Sequence, residues 1–320
     1  MHVLHLITST RSFFEQQIAV LEDRGIECTI VGVPGEYSAD SPRTPLDYLR
    51  FHPRVLSHAL SGEYDLVHGH YGLVAPFAIA QPTRPVVLSL WGTDVMSDMA
   101  WLRRISRYGA RFADATIVPS PVMSRELDVD HVEIPFGVDT DRFRPIPRDE
   151  ARDRIGWDAD ARIALFPYDP SRAVKDFPRA ERVADRADAD LEVRTIDDVP
   201  YDEMPYYMNA SDVLLVTSRR ESGPMVVKEA AACNVPVVST DVGFVRETIA
   251  GVDGCVVGTT DDELAAGLER VLDGSRRSNG RDAVDGLGLE AMGDRLLDVY
   301  RRVLDRPSET VHRTGVGHEV

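Results

Sequence analysis

The sequence contains little lysine, little cysteine and no long apolar run. Three cysteines, Cys28, Cys233 and Cys255, are widely spaced and form no CxxC pair, which argues against a disulfide framework or a zinc knuckle and predicts buried free thiols. No stretch of about 18 apolar residues occurs, and no apolar run follows a basic leader at the N-terminus. We therefore expect neither a membrane span nor a signal peptide, but a soluble, cytoplasmic protein.

The scarcity of lysine accompanies an excess of acidic side chains. Lys175 and Lys228 are the two lysines among 36 basic residues, against 53 acidic residues, and the formal net charge is −17. Because a phosphate backbone is bound by clustered positive charge, nucleic acid is not an expected partner, and the linear sequence shows no basic patch for membrane docking. The Asp-rich, Lys-poor, acidic surface is similar to that of proteins from halophilic archaea, where salt screens self-repulsion. GC-rich codon usage is the alternative explanation.

Short apolar runs alternate with amphipathic segments along the chain. Strands are predicted at 3–7, 28–33, 64–70, 84–90 and 115–120, and again at 162–168, 190–196, 212–218, 235–241 and 255–258. Helical spacing between them gives a βαβα order, which indicates parallel sheets with helices on both faces.

The charged, proline-bearing segment 138–162 separates the two series. We predict an α/β fold of two Rossmann-like, doubly wound parallel-sheet domains, residues 1–145 and 146–305, facing a cleft at the carboxyl ends of their strands. Residues 288–304 are predicted to form the last helix, and residues 306–320 a disordered tail.

The stretch SRRESGPMVVKEAAACNVPVV, residues 218–238, has the pattern of an anion site. Pro224 suits the first position of a helix, and Gly223 permits a tight turn before it. The unpaired amides of Met225 and Val226, together with the helix dipole, would then bind an anion such as a diphosphate.

Two carboxylates bracket this turn. Glu221 stays in the loop, whereas Glu229 lies about 7 Å further along the helix axis. Carboxylates accept hydrogen bonds from paired sugar hydroxyls, so the layout suits a nucleotide sugar; ordinary helix capping is the alternative, and the stretch alone leaves both open. Asn234 is predicted to end the helix in a left-handed conformation, and Lys228 to lie on a solvated face.

The stretch from Glu221 to Glu229 resembles the E-x7-E region of glycosyltransferase family 4, the retaining, nucleotide-sugar-dependent enzymes of the GT-B fold. YDLVHGHYGLVAPFAIA with RPVVLSLWGTDV, and ADATIVPSPVMSREL with VEIPFGVDTDRFRP, are similar to other motifs of that family in the same order. The resemblance covers roughly residues 1–305. It implies a metal-independent glycosyltransferase of the hexosyltransferase type.

The resemblance also implies roles for individual residues. Glu221 would contact hydroxyls of the transferred sugar, Glu229 the ribose, and the amides of Met225 and Val226 the diphosphate. Arg172 and Lys175, in PSRAVKDF, would neutralise the leaving diphosphate.

This chain departs from the family pattern at several positions. Pro224 replaces a frequent glycine, which removes one amide donor, and Trp91 replaces a frequent histidine before Gly-Thr-Asp. Trp91 would instead stack on a sugar ring, with His70 or Asp94 supplying polar contacts. The usual glycine-rich loop near the N-terminus is absent, and residues 9–12 take its place as candidate contacts.

No cofactor is expected beyond the nucleotide-diphosphate sugar itself. Asp-x-Asp pairs occur, but in so Asp-rich a chain they are expected by chance, so we predict no essential metal. The acceptor is a hydroxyl of a lipid-linked glycan, a polysaccharide or a small molecule, and a peripheral contact with the inner face of the membrane stays open. The alternatives are a non-catalytic nucleotide-sugar-binding protein or partner subunit, or an epimerase or phosphorylase of the same fold.

Overall fold

The computed structural model describes residues 1–35, 43–187, 190–196, 199–274 and 277–305. Two parallel β-sheets organise these residues, which confirms the predicted α/β fold of two Rossmann-like sheets. The predicted tail, 306–320, lies outside the described residues.

The first sheet has six parallel strands in the order β2-β1-β3-β4-β5-β6. The strands are β1 (His2–Ile7), β2 (Glu27–Gly32), β3 (Leu66–His70), β4 (Val86–Ser89), β5 (Ala115–Val118) and β6 (Val132–Glu133). The helices around it are α1 (Ser12–Asp23), α2 (Pro45–Ser61), a 3-10 turn (Gly72–Val74), α3 (Ala75–Ala80), α4 (Thr93–Met96), α5 (Ala100–Phe112) and α6 (Pro121–Ser124).

The second sheet has five parallel strands in the order β11-β10-β9-β7-β8. Its strands are β7 (Ile163–Phe166), β8 (Glu192–Thr195), β9 (Val213–Val216), β10 (Val237–Thr240) and β11 (Val256–Gly258). The helices of this half are α7 (Arg148–Ile155), α8 (Phe177–Arg186), α9 (Met204–Ala210), α10 (Met225–Ala232), α11 (Val245–Ile249), α12 (Asp261–Gly274) and α13 (Gly280–Ala283); α14 (Leu289–Leu304) ends the described chain.

The strands read as continuous apolar runs because helices cover both faces of each sheet. All four residues of β4, β7, β9 and β10 are buried. Only β6, two residues long at the edge of the first sheet, was not predicted, because so short a strand carries too few residues to show a pattern.

The last helix, α14, packs against the first sheet and not the second. Met292, Leu296 and Tyr300 share a core with Val3 and Leu21 of the first half. The predicted second domain, 146–305, therefore includes a helix that crosses back, since the apolar face of α14 completes the core of the opposite half. The boundary near residue 145 stays a prediction.

Helix α5 corrects the expectation that no basic patch exists. It carries Arg103, Arg104, Arg107 and Arg111 and no acidic residue. The helix occupies the segment between the buried strands β4 and β5. Among the residues that the structure describes, no helix combines the length and apolarity that crossing a bilayer requires.

Candidate active site

Helix α10 begins immediately after the turn at Gly223 and Pro224. The first helical residue is Met225, and Pro224 is the N-cap, with an extended backbone at φ −71° and ψ 108°. The prediction that Pro224 occupies the first helical position is therefore wrong by one residue. The amides of Met225 and Val226 remain in the first turn, where helix amides have no intrahelical acceptor.

Close packing requires glycine at position 223. A Cβ there would lie 2.0 Å from Cε1 and 2.5 Å from Cδ1 of Phe244, far closer than a van der Waals contact. Gly243, at φ 59°, brings its own backbone close to the Gly223 nitrogen. The turn thus packs against the loop that follows β10, because strands β9 and β10 are neighbours in the sheet.

Lys175 and Glu221 form a buried ion pair beside this turn. The Nζ of Lys175 also lies 3.7 Å from the centre of the Tyr168 ring, and Ser218 Oγ donates to Glu221 Oε1 at 2.8 Å. Burial lowers the pKa of Lys175, and the Glu221 carboxylate opposes that shift. The predicted cation and the predicted sugar-binding carboxylate are therefore in direct contact.

Arg172 is exposed on the same loop. Its carbonyl accepts a hydrogen bond from the Lys175 amide at 2.8 Å, so a tight turn holds the two cations on one loop. Their like charge contributes to the lowered pKa of Lys175. The structure thus places Arg172 and Lys175 on one loop and Glu221 against Lys175, while their roles toward a donor stay predictions.

Glu229 is buried on α10, with 3 % of its surface exposed. The Tyr201 hydroxyl donates to its Oε1 at 2.9 Å. Burial raises the pKa of Glu229 to about 7, although the Tyr201 hydrogen bond favours the ionised form.

Lys228 corrects a prediction, because it is buried rather than solvated. Its Nζ donates to the carbonyl of Phe136 at 2.7 Å and lies 4.3 Å from the centre of the Phe244 ring. Burial lowers its pKa to about 7. Asn234 matches its prediction: its φ is 57°, and its side chain accepts from the Arg281 amide at 2.8 Å.

The first half contributes the loop that contains Trp91. Asp94 is buried, and its carboxylate accepts hydrogen bonds from the amides of Gly72, Trp91 and Gly92 at 2.7–3.1 Å. Burial raises the pKa of Asp94, whereas the amides lower it. Asp94 therefore positions this loop through backbone contacts. Because Asp94 is buried and its carboxylate oxygens accept from backbone amides, nothing in this arrangement supports the predicted contact with a ligand.

The two halves meet at this loop. A Cβ on Gly92, at φ 136°, would lie 2.5 Å from the Ser222 side chain of the second half. The Trp91 indole contacts the Phe13 ring edge-on, with centroids 4.9 Å apart. Its Nε1 is buried and finds no acceptor among the described residues.

His70 lies beneath Trp91 and is fully buried, so it is not a wall residue of the cleft. Its Nε2 is 2.9 Å from His5 Nδ1, and donor atoms of His5, His68 and His70 lie within 4.8 Å of one another, a spacing that could hold a metal ion. Both ring nitrogens of His68 are already engaged, with Tyr300 and Ser89. Burial lowers the pKa of all three histidines, that of His5 to about 3.

A cavity of about 1030 Å³ opens between the Trp91 loop and the α10 turn. Ser222, Gly223 and Met225 line one end, and Trp91 lines the first-half side. Ser9 and Arg11, two of the candidate contacts in the segment 9–12, also line it. Most of the remaining lining is aromatic or aliphatic.

Sequence reasoning missed Tyr168, Ser218 and Tyr201. Strands β7 and β9 pair directly, with Leu165 opposite Leu214, so Tyr168 and Ser218 emerge side by side at the carboxyl edge of the sheet. The sequence does not reveal the order of the strands in the sheet, and therefore does not show that Tyr168 and Ser218 are neighbours. The hydroxyl of Tyr201 had no sequence signal, because the turn that precedes α9 meets Glu229 of α10 only through tertiary packing.

Two family models match this chain. The model described as Glycosyltransferase Family 4 matches residues 2–142, and the model described as Glycosyl transferases group 1 matches residues 175–283. A D-inositol 3-phosphate glycosyltransferase of Thermobispora bispora is 26 % identical over 322 aligned residues, covering 79 % of this chain and 73 % of the relative.

Solved structures show the same fold. Sucrose-phosphate synthase of Thermosynechococcus elongatus superposes with a TM-score of 0.80 at 18 % identity, covering 94 % of this chain and 99 % of that one. Anabaena HepE in complex with UDP-glucose superposes with a TM-score of 0.70 at 16 % identity, covering 94 % and 100 %. The family models match both halves, each half has a parallel sheet, and the candidate site lies between the halves. The chain therefore belongs to glycosyltransferase family 4 and is a glycosyltransferase of the GT-B fold.

Proposed function

We propose that the enzyme transfers a sugar, with retention of anomeric configuration, from a nucleotide-diphosphate donor to a hydroxyl acceptor. The observation that carries this proposal is the buried pair of Lys175 and Glu221 beside the α10 N-terminus, with Glu229 on the same helix. The HepE structure holds UDP-glucose, a donor of this class. In such a donor, the cation and the free amides would bind the diphosphate, one carboxylate the sugar and the other carboxylate the ribose.

Each group then has a defined task. The amides of Met225 and Val226 bind the diphosphate, and Lys175 and Arg172 stabilise the charge that develops as it departs. Glu221 and Glu229 bind hydroxyls of the sugar and the ribose. The bond between the anomeric carbon and the phosphate oxygen breaks, the acceptor oxygen bonds to that carbon on the same face, and the acceptor proton passes to the departing phosphate.

Substitution of Lys175 tests the proposal. Lys175→Ala should lower kcat for donor turnover by about 10²–10³-fold, because one preorganised charge contact of this kind stabilises the transition state by that factor. Arg270→Ala, which removes an exposed cation from α12, is the matched control and should retain wild-type turnover. Wild-type turnover in folded Lys175→Ala would refute the assignment.

We propose further that turnover needs no metal ion. The diphosphate charge is met by side chains and amides already in place, and the three buried histidines serve the core of the first sheet. Dialysis against EDTA should leave kcat within about twofold of the untreated enzyme, because the stabilising cations are covalent parts of the chain. A chelator-dependent loss that Mn²⁺, Mg²⁺ or Zn²⁺ restores would contradict this.

Product analysis separates this function from related ones. Transfer yields a glycosylated acceptor and a free nucleoside diphosphate, whereas an epimerase alters the free nucleotide sugar and a phosphorylase releases a sugar phosphate. We also propose a cytoplasmic location, since nucleotide sugars must reach the site.

A further inference from the structure

Exposed apolar side chains concentrate at two helices of the first half. Of ten large apolar residues exposed in the described chain, Leu46, Leu49 and Leu60 belong to α2, while Met99, Trp101, Tyr108 and Phe112 belong to α5 or immediately precede it. Scattered apolar residues are normal on a protein surface, but seven of ten on two helices is a concentration that suits a docking surface.

Helix α5 presents an apolar stripe to the outside. Trp101, Ile105, Tyr108 and Phe112 recur at intervals of four, three and four residues, which places them on one face. Trp101, Tyr108 and Phe112 are each more than half exposed. The opposite face of α5 is buried against the first half and is not available to a partner. Its buried residues are Leu102, Ser106, Gly109 and Ala110.

Arginines flank the α5 stripe. Arg104, Arg107 and Arg111 are exposed, and the helix has no acidic residue. Arg107 is 3.7 Å from Glu126, whereas no ion pair within 4.0 Å is found in the described chain for Arg104 or Arg111. In a chain of net charge −17, this local positive charge favours an anionic surface.

The stripe continues into the cavity of the candidate site. Trp101 and Ile105 line the cavity from α5, Met99 lines it from the position just before that helix, and Leu49 lines it from α2. Its charged lining residues are Arg11 and Arg43, and its far end is the donor turn at Ser222 and Gly223. The passage therefore runs from an apolar, basic surface to the place where the sugar is transferred.

We propose that the acceptor is an amphiphile, a hydroxyl-bearing anionic head on a hydrocarbon chain, drawn from an anionic lipid bilayer on which α2 and α5 rest. This inference rests on the proposed function and names its acceptor class. The hydroxyl reaches the donor turn, Arg11 and Arg43 meet the anionic head, and the hydrocarbon passes along Leu49 and Trp101 to the surface. Aromatic and leucine side chains flanked by arginine are suited to the interfacial region of a membrane.

Salt concentration distinguishes the electrostatic contribution to this docking from the apolar contribution. High ionic strength screens the attraction between arginines and lipid headgroups, whereas burial of the apolar stripes does not depend on that attraction. Substitutions in the two classes should therefore respond differently to KCl.

Flotation with vesicles of phosphatidylcholine and phosphatidylglycerol tests the docking at 2 M KCl and at the lowest KCl concentration at which circular dichroism shows the native fold. Wild type should float with the vesicles. Tyr108→Glu/Phe112→Glu should lower the bound fraction at least tenfold at both salt concentrations, and Arg104→Glu/Arg111→Glu chiefly at low salt. The controls are Ile30→Glu, an exposed apolar residue on β2, and Arg270→Glu on α12, which should float like wild type.

Failure of wild type to float, or equal losses in variants and controls, would overturn the proposal. Donor hydrolysis in the absence of acceptor is the second readout. Tyr108→Glu/Phe112→Glu should retain it, because neither residue lines the cavity. Retained hydrolysis without flotation of wild type refutes only the lipid inference, whereas absence of hydrolysis and of transfer in wild type refutes the proposed function.

Trp91 and Trp101 both line the cavity, so intrinsic fluorescence reports on its occupant. Dodecyl maltoside below its micelle concentration should cause a saturable blue shift, and Leu73→Asp, at the cavity wall, should weaken it at least tenfold. Maltose and D-inositol 3-phosphate, which lack a hydrocarbon chain, should cause no shift. A response to these soluble compounds equal to that of the detergent, or no response to the detergent, would overturn the amphiphile assignment.

Discussion

At the residue scale, the carboxyl group of Glu229 lies in an apolar interior that opposes its ionisation. Its pKa in the folded protein is about 7, against an ordinary 4.5, so the folded state binds the proton more tightly than the unfolded state. The resulting stabilisation is fully present below about pH 4.5 and is lost as pH rises through 7.

Glu229→Gln tests this reading, because glutamine resembles the protonated form at every pH. The free energy of unfolding of the variant minus that of wild type should grow by up to roughly 3 kcal/mol between pH 5 and pH 8. Chemical denaturation across that range measures the difference. Parallel pH profiles for the two proteins would show that Glu229 ionises normally.

Lys175 and Glu221 show what could be inferred at this scale. Glu221 is predicted from its place before the α10 turn, whereas the role of Lys175 is implied only by the resemblance of PSRAVKDF to the family pattern. Their direct contact, and the Tyr168 ring against Lys175, could not be read from the chain, because residues 168, 175 and 221 meet only through the pairing of β7 with β9.

At the scale of elements, the turn before α10 depends on the absence of a side chain at Gly223. Gly223→Ala should weaken binding of the best-binding nucleoside diphosphate among UDP, GDP and ADP at least tenfold. The added methyl would collide with the Phe244 ring and displace the amides of Met225 and Val226. Calorimetric titration of the variant measures the loss.

A second substitution distinguishes this collision from a general defect. Gly223→Ala/Phe244→Ala should recover part of the affinity, because the colliding ring is removed. Gly274→Ala, where an added Cβ meets nothing within 4 Å, should bind like wild type. Full affinity in Gly223→Ala alone would show that the turn has room to adjust.

Elements were predicted unevenly. Ten strands were located because residues buried on both faces form unbroken apolar runs. The sequence predicts helical segments between the strands without giving bounds for α2 and α5, both of which expose apolar residues on their outer faces. The same property makes them candidates for a lipid surface.

At the scale of the whole molecule, Lys228 connects the two halves. It donates from α10 to the carbonyl of Phe136, and the Phe136 ring packs 4.4 Å from that of Phe13 in the first half. Its pKa in the folded protein is about 7, below the ordinary 10.5, so the unfolded state binds the proton more tightly and stability rises with pH from 7 towards 10.5.

Lys228→Met should remove this dependence. The free energy of unfolding of wild type should increase between pH 7 and pH 10 relative to that of the variant, which has no proton to lose at this position. Arg270→Met, which replaces an exposed cation, should keep the wild-type slope. Equal slopes for wild type and Lys228→Met would place the lysine in contact with solvent.

The link between the acidic composition and a saline environment stays a prediction.

Apolar periodicity, glycine and proline positions and short motifs are local properties of the chain, and they are enough to predict the two α/β halves, the Glu221–Glu229 turn and the family. The crossing of α14 to the first sheet, the burial of Lys228 and the position of His70 beneath Trp91 required the three-dimensional structure. So did the set of residues that line the cavity. These outcomes depend on strand order and on packing between residues far apart in sequence, where the fate of a side chain is set by its neighbours rather than by its type.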